Sequence, residues 1–428
     1  MNGRAARRAG SLLRVLAVLP LLAACRRAPE PVPGRTVLRL LAGPDVGGAL
    51  ASNIVRFHEY YPDIRVEVVE GPAESDRLEA RGSESFAARD GAFDVLYTDV
   101  AWIPHFAARG WLRPLDGWFT RRMQSKFLPG DIAGSRYGGK IYRVPNQSDA
   151  GLLYYRKDLL DAAGLRPPRT WGELVAQAQR LQRPPELWGL AFQGKAYEGL
   201  VCDFLELAWG NGGGMLDPRS QVIVDAPAAI EALSWLVDAV RVQRIAPESV
   251  LDFQEEEARK LFGDGRAVFM RNWPYAWNLL QRERSPVKGL VGIAPMVHGE
   301  GRRKSAAVLG GWGYSISAFT EEPEAAWKFV QFMATAESQK VGYEKGGILP
   351  TRKVLFNDPQ VIAKSPHYRV LYDVLSAARP RPMHPEYPRL SAILQVHLGA
   401  ALAGKKSPEE ALKAAAAEMR AALASPSP

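Results

Sequence analysis

The stretch "TVLRLLAGPDVGGALASNIVRFHEYYPDIRVEVVEG", residues 36–71, decides the fold class of this chain. It begins with a β-prone run that ends in glycine, after which Leu50, Ile54 and Phe57 recur at helical spacing. After Pro62 the apolar residues alternate, as expected of a strand with one buried face. Strand, helix and strand in this order form a βαβ unit. The stretch therefore predicts an α/β fold with a largely parallel sheet covered by helices.

Later segments continue this alternation, and the length of 428 residues suits two or three lobes. The runs "FDVLYTD" and "AAVLGGWGYSIS" predict strands, and "EEPEAAWKFVQFMAT" predicts a helix after the second of them. Thr170 with Glu173, and Ser407 with Glu410, have the spacing of capping boxes that begin helices. A mainly helical region is predicted from Thr170 to about Arg259, with a short strand in "RSQVIVDAP".

The first 25 residues, "MNGRAARRAGSLLRVLAVLPLLAAC", have the composition of an export signal. A basic start precedes an apolar run from Leu12 to Ala24, which is too short for a membrane-spanning helix. The residues "LLAAC" resemble a bacterial lipobox, which predicts a signal peptide over 1–24, a lipidated Cys25 and a linker over 25–35. The alternative is an ordinary signal peptide with a chance cysteine. We therefore expect an exported lipoprotein, anchored to a membrane on the periplasmic side of the cell envelope.

Charge and cysteine content exclude several classes of protein. The net charge of +9 falls to +5 without the four arginines of the predicted signal peptide, which is too small an excess to predict nucleic-acid binding. Cys202 is the one cysteine expected in the mature chain, so no intramolecular disulfide is predicted, and its apolar helical surroundings indicate a buried structural thiol rather than a nucleophile. The six histidines lack metal-site spacing, and no phosphate-binding glycine loop is present. Neither a metal nor a cofactor is predicted.

An enzymatic function stays open at this point. No G-x-S-x-G elbow is present, which disfavours a serine hydrolase. The carboxyl groups of Asp94, Asp99, Asp149 and Asp203 could still meet in space, and a glycosidase needs two carboxyls at a defined separation. No local pattern selects two of these four residues.

Seven stretches occur in the same order as in one known protein family. They are "FDVLYTDVAWIPHFAARGWLRPLD", "GKIYRVPNQSDAGLLYYRKDLLDAAGL", "TWGEL", "GNGGGML", "GRAVFMRNWPYAW", "VLGGWGYSIS" and "GGILPTRK". Together with the lipobox, they resemble the bacterial extracellular solute-binding proteins, specifically the sugar-binding family 1 of ABC importers. Within that family the chain is most similar to the maltose/trehalose-type binding lipoproteins. The resemblance spans nearly the whole mature chain.

The resemblance implies a type II periplasmic-binding-protein fold. In such a fold two α/β lobes, each a mixed and mainly parallel sheet flanked by helices, are joined by a hinge of several crossovers. Projected onto this chain, the crossovers lie near Pro145, Gly310 and Pro350. The implied lobes are 36–145 plus 312–348, and 146–311 plus 349–428. The ligand then lies between the lobes, and a hinge motion closes them around it.

Aromatic residues are the expected platforms for a sugar. A sugar has apolar faces and a rim of hydroxyls, so rings cover the faces while charged groups bind the rim. The resemblance implies that Trp273, Tyr275 and Trp312 are the rings and that the Gly311 backbone lies beside the ligand. Pro274 breaks the first of these segments, which favours side chains that face a cleft.

The resemblance also implies a set of polar ligand groups. Asp99 and Asp149 are the expected hydroxyl acceptors, and Arg381, favoured over Arg379, is the expected cation. Gln147 stands where maltose/trehalose-type members often have an aromatic residue, so one sugar face is expected to be held differently. Two further candidates from the first lobe are Asp45 and Arg77.

These residues predict a receptor that captures a trehalose- or maltose-like disaccharide or short oligosaccharide. Its expected partners are ABC permease subunits with a cytoplasmic ATPase, and a monomer is expected. One alternative is an exported carbohydrate-active enzyme, which would use the same aromatic and acidic residues. Another is a receptor for a glycerophosphodiester or a polyamine. A phosphate-bearing ligand would require more cations than the predicted cleft offers.

Overall fold

The computed structural model describes residues 35–302, 304–364 and 367–425. The predicted signal peptide, Cys25 and all of the predicted linker except Arg35 lie outside these residues. From Thr36 onward the chain forms one compact unit. Within the described ranges, no helix combines the length and the apolar character that crossing a membrane requires.

Strands and helices alternate along the chain, as the sequence predicts. The strands are β1 (Thr36–Ala42), β2 (Ile64–Glu70), β3 (Val95–Asp99), β4 (Arg136–Tyr137), β5 (Lys140–Ile141), β6 (Val144–Pro145), β7 (Asp149–Ala150), β8 (Leu152–Arg156), β9 (Trp188–Ala191), β10 (Ala267–Asn272), β11 (Val291–Ala294), β12 (Val308–Gly310), β13 (Trp312–Ile316) and β14 (Arg379–Pro380). The helices are α1 (Ala49–Tyr60), α2 (Ser75–Ala88), α3 (Ile103–Ala108), α4 (Arg121–Gln124), α5 (Pro129–Ala133), α6 (Lys157–Ala162), α7 (Trp171–Leu181), α8 (Glu198–Gly210), α9 (Pro227–Arg241), α10 (Glu255–Gly263), α11 (Ala276–Leu280), α12 (Pro323–Met333), α13 (Ala336–Gly346), α14 (Pro359–Lys364), α15 (Tyr368–Ala377), α16 (Tyr387–Leu402) and α17 (Pro408–Ala424).

The first sheet has the strand order β2-β1-β3-β13-β6 and confirms the βαβ prediction. Strands β1 and β2 pair in parallel from Thr36 opposite Ile64 to Ala42 opposite Glu70, and β3 is also parallel to β1. Helix α1 joins β1 to β2 and buries Phe57 in the core of this sheet. Strand β13 runs antiparallel to β3 and β6, because it enters the sheet directly from a crossing segment rather than through a helix.

The second sheet has the order β11-β8-β10-β9, and it corrects two predictions. Strand β9 lies inside the region predicted to be helical, while the strand predicted in "RSQVIVDAP" is replaced by a single bridge between Leu216 and Val222. Strand β10, "AVFMRN", is buried at every residue because it lies between β8 and β9. Its pairing is antiparallel with β8 and parallel with β9, so this sheet is less parallel than expected.

A third, small sheet of order β14-β12-β7 lies where the chain passes between the two larger sheets. Gly311 splits the single strand predicted from "AAVLGGWGYSIS" into β12 and β13. Its φ is +118°, and a Cβ there would lie 2.5 Å from the carbonyl oxygen of Gln147, so only glycine fits. The Trp312 amide donates to that same oxygen at 2.9 Å, and Gln147 also bridges Pro350. The three predicted crossings therefore meet at one place.

The two large sheets take their strands from different parts of the chain. Strands of the first sheet fall within 36–145 and 312–316, and those of the second fall within 152–294. The bounds of the lobes themselves stay a prediction.

The two predicted capping boxes differ in the structure. At the start of α17 both bonds form, because Ser407 Oγ accepts from the Glu410 amide at 3.2 Å and the Glu410 carboxylate accepts from the Ser407 amide at 2.9 Å. At the start of α7, Thr170 Oγ1 accepts from the Glu173 amide at 3.3 Å. The Glu173 carboxylate, however, bonds the amide of Arg169, so only half of that box forms.

Candidate functional site

A cavity of about 680 Å³ lies at the ends of strands from both large sheets. Its lining includes residues in or just after the last part of β1, β3 and β10 and residues from the first turns of α1, α8 and α10, as is usual for ligand sites of α/β proteins. Nine of the ten predicted ligand residues line it: Asp45, Asp99, Gln147, Asp149, Trp273, Tyr275, Gly311, Trp312 and Arg381.

The tenth, Arg77, does not line the cavity. Its side chain is 72% exposed and lies 3.6 Å from the carboxylate of Glu74, within the same surface turn. Asp45 does line the cavity, but its two carboxylate oxygens accept the amides of Leu50 and Ala51 at 2.9 Å each. Asp45 therefore stabilises the start of α1 as well as facing the cavity.

The Trp273 ring is held on one face and at both edges. The guanidinium carbon of Arg271 lies 4.0 Å from its ring centroid, a cation–π contact. Its indole Nε1 donates to Glu255 Oε1 at 3.3 Å, and its six-membered ring abuts Gly310. The backbone carbonyl of Trp273 accepts from Tyr154 Oη at 2.8 Å. Because Arg271 covers one face of the Trp273 ring, only the opposite face is available to a ligand.

Arg271 is itself fixed by a buried network. It is 2% exposed and pairs with Asp203 at 2.9 Å and with Glu206 at 2.6 Å. Burial acts to lower the pKa of Arg271, but the two carboxylates outweigh it and raise that pKa. Gly151 leaves the room that this network needs, since a Cβ there would lie 1.8 Å from Glu206 Oε1. Sequence reasoning missed Arg271, although it precedes Trp273 by two residues.

Trp312 belongs to a cluster of rings at the other side of the cavity. It stacks on Tyr97 with ring centroids 5.6 Å apart and an interplanar angle of 19°, and it meets Trp102 edge-on. Tyr97 Oη donates to Gln147 Oε1 at 3.2 Å. Tyr97 also lines the cavity and was not predicted. The sequence could have indicated Tyr97, because residues two apart in a strand share a face and Asp99 was already predicted to bind the ligand.

Tyr275 and Trp277 lie in different surroundings. Tyr275 lines the cavity and donates its hydroxyl to Glu256 at 2.7 Å. Burial and the Glu256 carboxylate raise the pKa of Tyr275, so it stays a neutral hydrogen-bonding ring. Trp277 packs against the core instead, with its ring centroid 3.7 Å from that of His367.

Arg381 faces the cavity but is already paired. It is 3% exposed, its Nη1 donates to Glu198 at 2.8 Å, and its Nη2 contacts the carboxylate of Asp99. Tyr387 Oη also donates to Glu198, at 2.6 Å. Arg379 lies in β14 and is exposed, so the choice of Arg381 over Arg379 agrees with the geometry. Arg381 thus joins carboxylates from the end of β3 and the start of α8.

Asp149 has an unusual environment for a carboxyl group at the cavity wall. It is 5% exposed; its Oδ2 accepts from Gln147 Nε2 at 2.6 Å, and its Oδ1 has no hydrogen-bond partner among the described residues. Burial, aided by the nearby Asp131 and Asp99 carboxylates, raises the pKa of Asp149 to about 8. Burial likewise raises the pKa of Asp131 to about 7. At neutral pH Asp149 therefore carries a proton for most of the time and is able to donate as well as accept.

The carboxyl groups that left an enzymatic function possible at the level of sequence mostly make structural contacts. Asp94 accepts from the Arg39 amide at 2.8 Å and contacts Thr320, and Asp203 pairs with Arg271. Cys202 is buried in α8, as predicted. Among residues 35–302, 304–364 and 367–425, no group of three or more potential ligand side chains is placed to hold a metal ion.

Comparisons with known proteins place the chain in a family. Residues 43–340 match the sequence model of the family described as "Bacterial extracellular solute-binding protein". A "Probable ABC transporter-binding protein" of Deinococcus radiodurans is 35% identical over 358 residues, which cover 81% of this chain and 84% of that protein. A "Mannitol-binding protein" of Pseudomonas aeruginosa is 27% identical over 381 residues, covering 84% of this chain and 86% of that protein. The solved structure "Maltose bound T. maritima MalE3" superposes with a TM-score of 0.86 at 39% identity, over 90% of this chain and 99% of that one.

Proposed function

Because the chain belongs to the bacterial extracellular solute-binding protein family and has its type II two-lobed α/β fold, we propose that it captures a disaccharide or short oligosaccharide for an ABC importer. The ligand class is trehalose- or maltose-like, which accords with the maltose named for the similar solved structure. The members and neighbours of this family are binding proteins, so capture and release of an unchanged ligand is the activity to test.

One observation carries the proposal: two indole rings and a rim of hydrogen-bonding groups line the same cavity. Trp273 and Trp312 are each braced by neighbouring side chains, which leaves ring surface for the apolar faces of a sugar. Asp149 and Gln147 also line the cavity, and they offer the donors and acceptors that the hydroxyl groups of a sugar need. A volume of about 680 Å³ is within the range of small-molecule sites.

The anchor, the partners and the motion belong to the same proposal. Cys25 carries the lipid after removal of residues 1–24, and the linker over 25–35 holds the two lobes near the membrane. Closure of the lobes around the sugar then presents a surface to the permease subunits, which work with a cytoplasmic ATPase. The receptor acts as a monomer.

Calorimetric titration tests the proposal directly. The mature chain with Cys25→Ser is titrated with trehalose, maltose, sucrose and glucose, and each sugar is recovered and examined by chromatography. We expect saturable binding of one disaccharide, recovered intact. Recovery of a degraded sugar would instead establish an exported enzyme, and absence of heat with every sugar would overturn the sugar-receptor proposal.

A pair of tryptophan variants tests the site. Trp273→Ala should weaken binding of that disaccharide at least about tenfold, since stacking and burial of one face are lost. Trp118→Ala is the matched control, because Trp118 stacks on Trp327 with centroids 5.7 Å apart and does not line the cavity. Equal affinities of the two variants would show that the cavity is not the sugar site.

A further inference from the structure

The cavity wall is strongly acidic. Arg381 is the single lysine or arginine among the described residues that line it, whereas eight acidic residues do so. The acidic residues are Asp45, Glu74, Asp99, Asp149, Glu198, Glu255, Glu256 and Glu257. Asp149 carries a proton for most of the time at neutral pH, but the other seven acidic residues still outnumber the one cation. The imbalance gives the cavity a negative field, and low-dielectric walls strengthen such a field.

The one cation of the wall offers little to an anionic ligand. Arg381 is 3% exposed and lies between the carboxylates of Asp99 and Glu198. The Nε of Arg381 has no hydrogen-bond partner within the described part of the chain, but it is buried, so a ligand phosphate would have to compete with both carboxylates for the charge of this side chain.

The helix end that faces the cavity is closed to anions as well. Helix α10 has nine residues, and a free helix N-terminus of this kind attracts phosphate through its amide groups. Here the side chain of Gln254 and the carboxylate of Glu257 form a capping box that occupies the amides of Glu257 and Gln254, which leaves fewer donors for an anion. Glu255 and Glu256 add negative charge in the same first turn, which offsets the helix dipole.

Glu255 lines the cavity beside the indole ring of Trp273. Its Oε1 is 3.3 Å from the indole nitrogen of Trp273, so a sugar on the open face of that ring lies beside this carboxylate. Asp149, across Gly310 from the opposite edge of the ring, is 95% buried and has one oxygen without a partner. That oxygen is suited to accept from a hydroxyl or an ammonium group.

We infer that this cavity selects its ligand by charge: it accepts neutral and amine-bearing sugars and rejects sugars that carry phosphate or carboxylate, with Glu255 enforcing the rejection beside Trp273. The inference rests on the proposed sugar-receptor function and narrows its ligand class. A phosphate or carboxylate on the sugar meets repulsion from the wall without a free cation to compensate it, whereas a protonated amine gains attraction.

Matched sugars provide the first test. Maltose, a maltose phosphate ester and an amino-deoxy maltose, which share one skeleton, are titrated into the protein in low salt; if another disaccharide binds better, the trio is built on it. We expect the phosphate ester to bind at least about tenfold more weakly than the neutral sugar, and the amine to bind at least as tightly. Equal affinity of the neutral and phosphorylated sugars would overturn the inference and leave the sugar-receptor function standing.

A variant pair locates the effect. Glu255→Gln keeps an acceptor for the Trp273 indole and removes one charge. The ratio of the affinities for the neutral and the phosphorylated sugar should therefore fall at least about threefold. Glu248→Gln is the control, because Glu248 is exposed, lies seven residues earlier and does not line the cavity. The same affinity ratio in both variants would contradict the proposal that Glu255 enforces the rejection of the phosphorylated sugar.

A ligand-free measurement tests the charge of the wall even if no sugar binds. Fluorescence quenching by iodide and by caesium is compared between the wild type and Trp273→Phe, so that the difference reports Trp273 alone. Because iodide quenches free indole more efficiently than caesium does, each quenching constant is divided by that of N-acetyltryptophanamide in the same salt. We expect this normalised quenching of Trp273 to be greater for caesium than for iodide, and Glu255→Gln to reduce the difference. Normalised quenching by iodide equal to or greater than that by caesium would refute a negative cavity.

Discussion

Replacement of Asp149 by asparagine is expected to stabilise the protein at neutral pH and to flatten the dependence of its stability on pH. The pKa of Asp149 is raised to about 8 in the folded state, against about 3.9 for an aspartate in an unfolded chain. Between these two values the folded state holds a proton that the unfolded state has lost. The free energy of unfolding therefore falls as the pH rises from about 4 to about 8. Asparagine has no such proton and removes this slope.

The magnitude follows from the two pKa values. One proton held by the folded state alone changes the free energy of unfolding by about 1.4 kcal/mol per pH unit. Over the roughly three units between pH 4 and pH 7, the stability of the variant relative to the wild type should rise by about 4 kcal/mol. Asparagine also keeps a group that is able to accept from Gln147 Nε2, so the side-chain contact at 2.6 Å is retained.

Urea denaturation of both proteins at half-unit steps from pH 4.5 to pH 8.5 measures the effect. Asp90→Asn is the control with the opposite sign, because hydrogen bonds from the Ser85 hydroxyl and the Ala92 amide lower the pKa of Asp90. The stabilisation from Asp90 is present at neutral pH and fades as the pH falls, so its variant should be the less stable one at pH 7. Parallel pH profiles of the wild type and Asp149→Asn would refute a buried, protonated Asp149.

Three further changes have expected outcomes. Arg381→Met should lower the free energy of unfolding by about 3–5 kcal/mol in urea denaturation, because it leaves two carboxylates buried without their cation, and Arg381→Lys should recover part of this loss. Gly151→Ala should destabilise the fold and also weaken sugar binding, because its Cβ would overlap Glu206 and disturb the network behind Trp273; an unchanged thermal midpoint would contradict the close approach. Ser407→Ala should cost about 1 kcal/mol of stability through loss of the α17 cap while titration finds sugar affinity unchanged.

Part of the site could be predicted from the sequence, because the family resemblance identifies residues that stand at the ends of predictable elements. Asp99 ends a predicted strand and Trp312 follows a pair of glycines, and the resemblance implies both as ligand residues. Glu255 and Arg271 were missed for a different reason. Their place beside Trp273 depends on how a helix start and a buried strand pack together, and no periodicity of the chain reports that contact.

The sequence by itself determined the α/β class, the opening βαβ unit and the cap of α17, because each depends on patterns within a few turns of chain. Through the resemblance to a known family it also singled out nine of the residues that line the cavity. Only the tertiary structure decided how these residues are used. Burial and neighbouring carboxylates make Asp149 a proton donor at neutral pH. Arg381 is already paired with Asp99 in the protein without a ligand. Distant segments must first meet to create such environments, since a charge state in a low-dielectric site depends on everything packed around it.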